Sequence, residues 1–183
     1  DVCVGDSRKR VLRTSSEAFH NDCLVKKVKF PASVMIWGCM SAKGVGKLHF
    51  IDGIVNAQKY KEILEASFLP SIAQCAADDG DFMFQQDGAP CHTAKTVKTW
   101  FQEHNIPVLK WTSSSPDLSP IETLWHNMKK QLRKNPARTV PELKATLQNV
   151  WNNIPPEECA RLVDTMPSRI KAVIANKGDV TQY

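Results

Sequence analysis

None of the six cysteines (Cys3, Cys23, Cys39, Cys75, Cys91, Cys159) forms a C-x-x-C pair. That absence argues against a zinc ribbon, a thioredoxin-like motif and a dense disulfide framework. The scatter fits buried or incidental thiols in a reducing compartment, and the dipeptide Cys91-His92 alone makes no metal site. No apolar run approaches the length of a membrane span. Nor do the first residues show a charged-then-apolar leader pattern. The expectation is a chain neither exported nor placed in a bilayer. Repeats and low-complexity segments are missing too. Charge is not strongly one-sided: Lys+Arg number 24 and Asp+Glu 19, a net +5. This mild basicity is by itself a weak argument for nucleic acid. With 183 residues, 23% charged and 42% hydrophobic, the chain has the composition of one globular domain able to bury a real core.

The distribution of charge says more than its sum. Arg8, Lys9, Arg10 and Arg13 cluster early, Lys26, Lys27 and Lys29 follow, and Lys129, Lys130, Arg133, Lys134 and Arg138 come late. Any one cluster reads as a solvated face. Three of them around a pair of carboxylates favour a polyanion-binding surface.

Hydrophobic periodicity orders the chain. A short strand ends near Val4, with another expected around Val11-Leu12. Val34–Met40 reads as a buried strand, 41–46 as a glycine-containing turn, and Lys47–Ile51 as its antiparallel partner. From Asn56 the period changes: Tyr60, Ile63, Leu64, Phe68 and Leu69 recur at helical spacing, predicting a helix that runs past Pro70 to Cys75. Asp78, Asp79, Gly80 and Asp81 form a polar turn of solvated acids. The spacing then predicts a strand at Phe82–Gln86, a helix over Ala94–His104 capped by Thr93, a strand at Pro107–Trp111, and helices over 120–134, 140–152 and 156–175. The sum is α/β with a mixed sheet.

Two phrases carry the chemistry: Phe84-Gln85-Gln86-Asp87-Gly88-Ala89-Pro90 and Ser115-Pro116-Asp117-Leu118-Ser119-Pro120-Ile121-Glu122. Each brings a carboxylate to a point where the chain turns, and 34 residues lie between Asp87 and Glu122. Two carboxylates delivered by different elements are what a divalent metal site needs. Asp87 would stand at the C-terminal end of a central strand, the edge where ligands gather in open α/β sheets, with Gly88-Ala89-Pro90 allowing close approach. A bland turn aspartate is the alternative. Glu122 also has a structural reading: Ser119-x-x-Glu122 with Pro120 between is a capping box. Asp117 fits an ordinary turn former. His92 fits either a group orienting a carboxylate or a surface histidine at a helix start, with the balance slightly toward the latter.

Phe84–His92 and Trp111–Trp125 resemble the two signature blocks of Tc/mariner-type DNA transposases, and the 34-residue interval is similar to that of the Tc branch. Val34–Met40 and His49–Gly53 resemble that superfamily's upstream strand pair, so the likeness covers nearly the whole chain. The resemblance implies a ribonuclease-H-like fold, a mixed sheet flanked by helices, and a catalytic triad of two aspartates and a glutamate. Asp87 would be the second aspartate and Glu122 the glutamate, both catalytic and both metal ligands, for two Mg²⁺ ions with Mn²⁺ as substitute. The implied activity is that of a cut-and-paste transposase, an endonuclease that hydrolyses phosphodiester bonds at transposon ends and transfers the freed 3′-hydroxyl into TA target DNA. No covalent protein–DNA intermediate is implied. The implied partners are transposon-end and target DNA, with no membrane, and the implied location is nuclear.

Three departures qualify the likeness. The family's first aspartate normally lies a few residues before the position of Asp1, and Val2-Cys3-Val4 fits the later part of that first strand, so Asp1 is not assigned to the triad. The paired helix-turn-helix domains that recognise transposon ends in the family have no counterpart in the sequence, and Gly88 stands where asparagine is more usual. The expectation is therefore a single catalytic domain over 1–183, incomplete in its first strand, and inactive by itself. Residues 6–33 occupy the place of a subunit-clasping loop, which implies a homodimer. A non-catalytic nucleic-acid-binding relic and a plain α/β interaction module are the competing readings. Salt-sensitive DNA binding without cleavage would mark the relic, and neither binding nor cleavage would mark the module.

Overall fold

A β-branched and aromatic run, Ser33-Val34-Met35-Ile36-Trp37, forms β2 (Ser33–Trp37), the centre of a three-stranded sheet. β1 (Val2–Cys3) pairs with it antiparallel, Val2 opposite Val34. On the other edge β5 (His49–Ile51) is also antiparallel, with Met35, Ile36 and Trp37 opposite Ile51, Phe50 and His49. The computed structural model describes residues 2–3, 33–75, 82–110, 115–134, 136–179 and 181. The strand expected at Val11-Leu12, the acids at 78–81, the first two basic clusters and the clasping loop up to residue 32 lie outside the described residues.

Between β2 and β5 the chain does not make one long hairpin. β2 stops at Trp37, and a second small hairpin follows: β3 (Met40–Ser41) against β4 (Gly44–Val45), with Ala42-Lys43 at its tip. The expected strand to Met40 and the expected turn at 41–46 are both corrected by this. β5 offers partners only as far as Trp37. The stop falls at Gly38, whose backbone lies so close to Trp151 that a Cβ would sit 2.9 Å from the indole.

α1 (Ala57–Ile63) is capped by Asn56, whose Oδ1 accepts from Lys59 N–H at 2.8 Å. It passes through a π segment (Leu64–Phe68) into α2 (Leu69–Cys75), so the helix does run past Pro70 as the spacing predicts. The wider turn is where a proline can be accepted: Leu69 N–H reaches Leu64 O, and Pro70 has no N–H to place. Of the strands expected at Phe82–Gln86 and Pro107–Trp111, the described residues (Trp111 lies outside them) keep one parallel bridge, Phe84 with Val108. Phe84 N–H donates to Pro107 O and Leu109 N–H to Phe84 O, both at 2.8 Å. Between them lie a single helical turn, α3 (Pro90–Thr93), and α4 (Lys95–Glu103). Thr93 does not cap α4. Ala94 takes that position, while the Thr93 hydroxyl donates backward to Ala89 O.

α5 (Pro120–Lys134) and α6 (Val140–Asn152) fall where periodicity puts them. The last predicted helix is two, α7 (Pro156–Asp164) and α8 (Met166–Ala175), because Pro167 cannot continue the ladder across Thr165.

Strand alternation feeds two cores. Val34 and Ile36 pack with Met128, Leu132, Leu143, Leu147 and Trp151 beneath α5 and α6. Trp37 turns to a second cluster of Tyr60, Leu64, Phe68, Val97, Trp100, Phe101 and Ile106 beneath α1 and α4. Helices on both sides of a mixed arrangement of strands bear out the expected α/β class. Cys39, Cys91 and Cys159 carry thiols, in no disulfide. No helix is long and apolar enough to cross a membrane among the described residues.

Candidate active site

Asp87 follows Phe84 by three residues. Phe84 is anchored in the aromatic cluster, its ring 4.3 Å from that of Phe68 and 5.4 Å from that of Phe101. The Asp87 carboxylate stands out from this anchor with its side chain 71% exposed. One oxygen is held: Oδ1 accepts from Ala89 N–H at 3.1 Å and lies 2.5 Å from Nδ1 of His92. A carboxylate neighbour requires the proton on that nitrogen, so His92 acts as donor. Oδ2 has no hydrogen-bond partner among the described residues.

His92 is itself fixed. Its side chain is 19% exposed and its ring lies 4.1 Å from that of Tyr60. Tyr60 donates to Gln86 Oε1 at 2.8 Å, and Gln86 Nε2 donates to His92 O at 3.3 Å, closing a loop of contacts around the Asp87 turn. Burial drives the Tyr60 phenol above its ordinary range, with the nearby Cys91, Asp87 and Cys39 adding to the rise against a lowering contact from Trp37. Tyr60 is therefore a neutral hydrogen-bond donor here. The bland reading of His92 gives way to that of a group orienting a carboxylate. The sequence signal was its position five residues after Asp87, on the turn that follows Pro90.

Glu122 is the third residue of α5, and its carboxylate is exposed with no hydrogen bond or ion pair among the described residues. The capping box suggested by the sequence does not close. Ser119 N–H, which Glu122 would have to accept from, donates instead to Pro116 O at 3.0 Å in the 3-10 turn Pro116–Leu118. Glu122 N–H is met by the Ser119 carbonyl at 3.1 Å. Asp117 is the middle residue of that 3-10 turn, and its Oδ2 accepts from the distant Thr181 Oγ1 at 3.0 Å. A bond ties the two phrases together: Gln85 Nε2 donates to Leu118 O at 3.3 Å. This joins the segment carrying Asp87 to the turn that leads into Glu122. α5 also lies against β1.

Uncommitted carboxylate oxygens are the donors that hard divalent cations take. Asp87 has one such oxygen, with its other oxygen steadied by an N–H and an imidazole in the manner of outer-shell support. Glu122 has both. These two residues fit Mg²⁺ or Mn²⁺ as ligands. No group of three His, Cys, Asp or Glu side chains is gathered among the described residues. Of the late basic cluster, Lys130, Arg133, Lys134 and Arg138 are exposed, on or just beyond the end of α5.

The architecture is shared with solved structures. The Mos1 transposase paired-end complex with left transposon end superposes with a TM-score of 0.79 at 22% identity, over 94% of this chain and 51% of that one. The Mos1 transposase catalytic domain solved with Raltegravir and Mg gives 0.74 at 22%, over 81% and 77%. These define the class: a ribonuclease-H-like transposase catalytic fold. Residues 21–144 match the family model described as DDE superfamily endonuclease. The chain belongs to that family, as a Tc1/mariner transposase catalytic domain. The Tcb2 transposase of Caenorhabditis briggsae is 38% identical over 151 residues, 82% of this chain and 55% of that protein. The Tc1 transposase of Caenorhabditis elegans gives the same values, and its Tc3 transposase is 29% identical over 153 residues. The chain thus spans about half the length of the curated relatives it matches.

Proposed function

We propose that Asp87 and Glu122 are two carboxylate ligands of a divalent-metal site at which this domain hydrolyses phosphodiester bonds at transposon ends and joins the freed 3′-hydroxyl to TA target DNA. The observation that carries this is the bare Glu122 carboxylate at the start of a helix whose leading turn is bonded to the Asp87 segment through Gln85. Bound there, paired Mg²⁺ or Mn²⁺ ions would activate the attacking oxygen and stabilise the leaving one. The chain's own part is orientation. His92 and Ala89 N–H hold Asp87 Oδ1 so that Oδ2 is presented, and the 3-10 turn leaves Glu122 free of capping duty. Exposed Lys130, Arg133, Lys134 and Arg138 suit phosphate contacts. Solved Mos1 structures with Mg and with Mn, and paired-end complexes, support the metal and DNA parts of this reading by analogy.

The finer reading is that the chain alone cleaves little, since the resemblance asks for three carboxylates and only two positions match it. It works in the nucleus as one domain and pairs with a second copy through 6–33. The test is a nicking assay with transposon-end duplex and Mg²⁺ or Mn²⁺, alongside DNA binding across a salt series and light scattering. Weak nicking, lost on Asp87→Ala, with salt-sensitive binding and a dimer mass, is expected. Binding with no metal-dependent nicking under any condition would select the relic. A monomer mass with and without DNA would remove the dimer. Neither binding nor nicking would overturn the reading altogether.

A further inference from the structure

Arg169 lies on α8, 25 residues past the end of the 21–144 family match and 47 past Glu122 in sequence, yet it is only 3% exposed. Burying a guanidinium is unfavourable unless its donors are placed well. Here they reach three elements. Nη1 donates to Asp117 O at 2.6 Å, Nη2 to Thr123 Oγ1 at 3.1 Å, and Nε to Thr165 Oγ1 at 2.8 Å. Thr165 is held in turn, donating to Leu162 O at 2.6 Å.

The location sharpens the point. Thr123 adjoins Glu122 in the first turn of α5, and Asp117 is the middle residue of the 3-10 turn that precedes it. A cation beside the starts of α5 and α8 opposes both helix dipoles. The arrangement suits fixing geometry, because the planar fork sets the angle between two fixed acceptors. We propose that Arg169 is the positioning residue for Glu122. It clamps the Pro116–Leu118 turn to the first turn of α5, fixing where the glutamate carboxylate is presented to the proposed metal site. This rests on the reading of Glu122 as a metal ligand.

The experiment measures Mn²⁺ affinity of the full chain by electron paramagnetic resonance, with folding followed by circular dichroism and exchange of the Leu118, Ser119 and Glu122 amides by NMR. Arg169→Lys keeps the charge and loses the fork. It is expected to weaken Mn²⁺ binding about 10-fold, as outer-shell losses do, and to speed exchange at those three amides. Combined with Glu122→Gln it should be no worse than Glu122→Gln alone. Thr123→Val removes only the acceptor on α5 and should shift affinity the same way by less. It decides the matter should Arg169→Lys not fold. Parental affinity and exchange in Arg169→Lys, with Glu122→Gln weakened, would overturn the positioning role and leave the metal reading standing. So would additive losses in the double variant. Parental affinity in Glu122→Gln would instead overturn the metal reading, and with it the proposal.

Discussion

Two helices of this chain begin with the same pattern, Ser119-Pro120-Ile121-Glu122 at α5 and Thr139-Val140-Pro141-Glu142 at α6. At α6 both partners of the pattern are engaged, the glutamate reaching one residue further back than a capping box would have it. Thr139 Oγ1 accepts from Glu142 N–H at 3.3 Å, and the Glu142 carboxylate turns back to accept Arg138 N–H at 2.7 Å. At α5 the upstream 3-10 turn has already consumed the Ser119 amide, and the Glu122 carboxylate has no partner among the described residues. The same four-residue signature gives a structural glutamate in one place and a chemically available one in the other. The difference lies in the residues before the signature, not within it.

The comparison breaks if the two glutamates respond alike, and Glu122 offers the largest effect. Glu122→Gln should lower Mn²⁺ affinity by more than about 100-fold, beyond the cost of losing an outer-shell partner. Its unfolding midpoint in urea should stay at the parental value. Glu142→Gln should leave Mn²⁺ affinity as it is. Equal affinities in the two variants would remove Glu122 from the metal site.

Asp87 sharpens the same contrast from the other carboxylate. Its support is local: Ala89 and His92 lie within five residues. His92→Ala should weaken Mn²⁺ binding about 10-fold, and His92→Asn, which keeps a donor near the place of Nδ1, should recover much of it. Failure of asparagine to rescue would leave His92 as packing against Tyr60. Next in size, Thr139→Ala should cost about 1 kcal/mol in urea unfolding, whereas Ser119→Ala should cost only a few tenths, since no side-chain cap is in place at α5.

How much of this could be read from residues alone follows from the range of the contacts. α5 and α6 were legible to the residue because an apolar stripe at helical spacing and a proline at each start are local signals. Asp87 was legible too, as a carboxylate closing an apolar run. Its support by His92 was visible only as the slightly less favoured of two options, because a histidine five residues on says nothing of direction. Glu122 could not be separated from a cap, since the deciding bond, Ser119 N–H to Pro116 O, is a matter of turn geometry. Arg169 was beyond reach: its acceptors Asp117 and Thr123 lie 52 and 46 residues away. The strands expected at 82–86 and 107–111 come down to one bridge among the described residues, because apolar residues meant for the aromatic cluster look like ladder residues.

The smallest effect concerns a group on the sheet rather than at a helix start. His49 Nδ1 lies 2.9 Å from Ser67 Oγ, joining β5 to the π segment on the side of the second cluster. Burial, helped by repulsion from Lys59, holds this histidine below its ordinary value of 6.5. In the window between the lowered value and 6.5 the unfolded chain binds the proton and the folded chain does not. Stability therefore falls as pH drops through that window, and is fully present above 6.5. Replacing the imidazole with an amide, His49→Gln, removes the titration while keeping a partner for Ser67. Urea unfolding measured from neutral pH downward should show a shallower loss in His49→Gln than in the parent. Glu122→Gln and Thr139→Ala should keep the parental slope, because their helices rest on the other cluster. A parental slope in His49→Gln would assign the acid sensitivity to another group, and a flattened slope in Thr139→Ala would couple the two sides of the sheet more tightly than their separate cores allow.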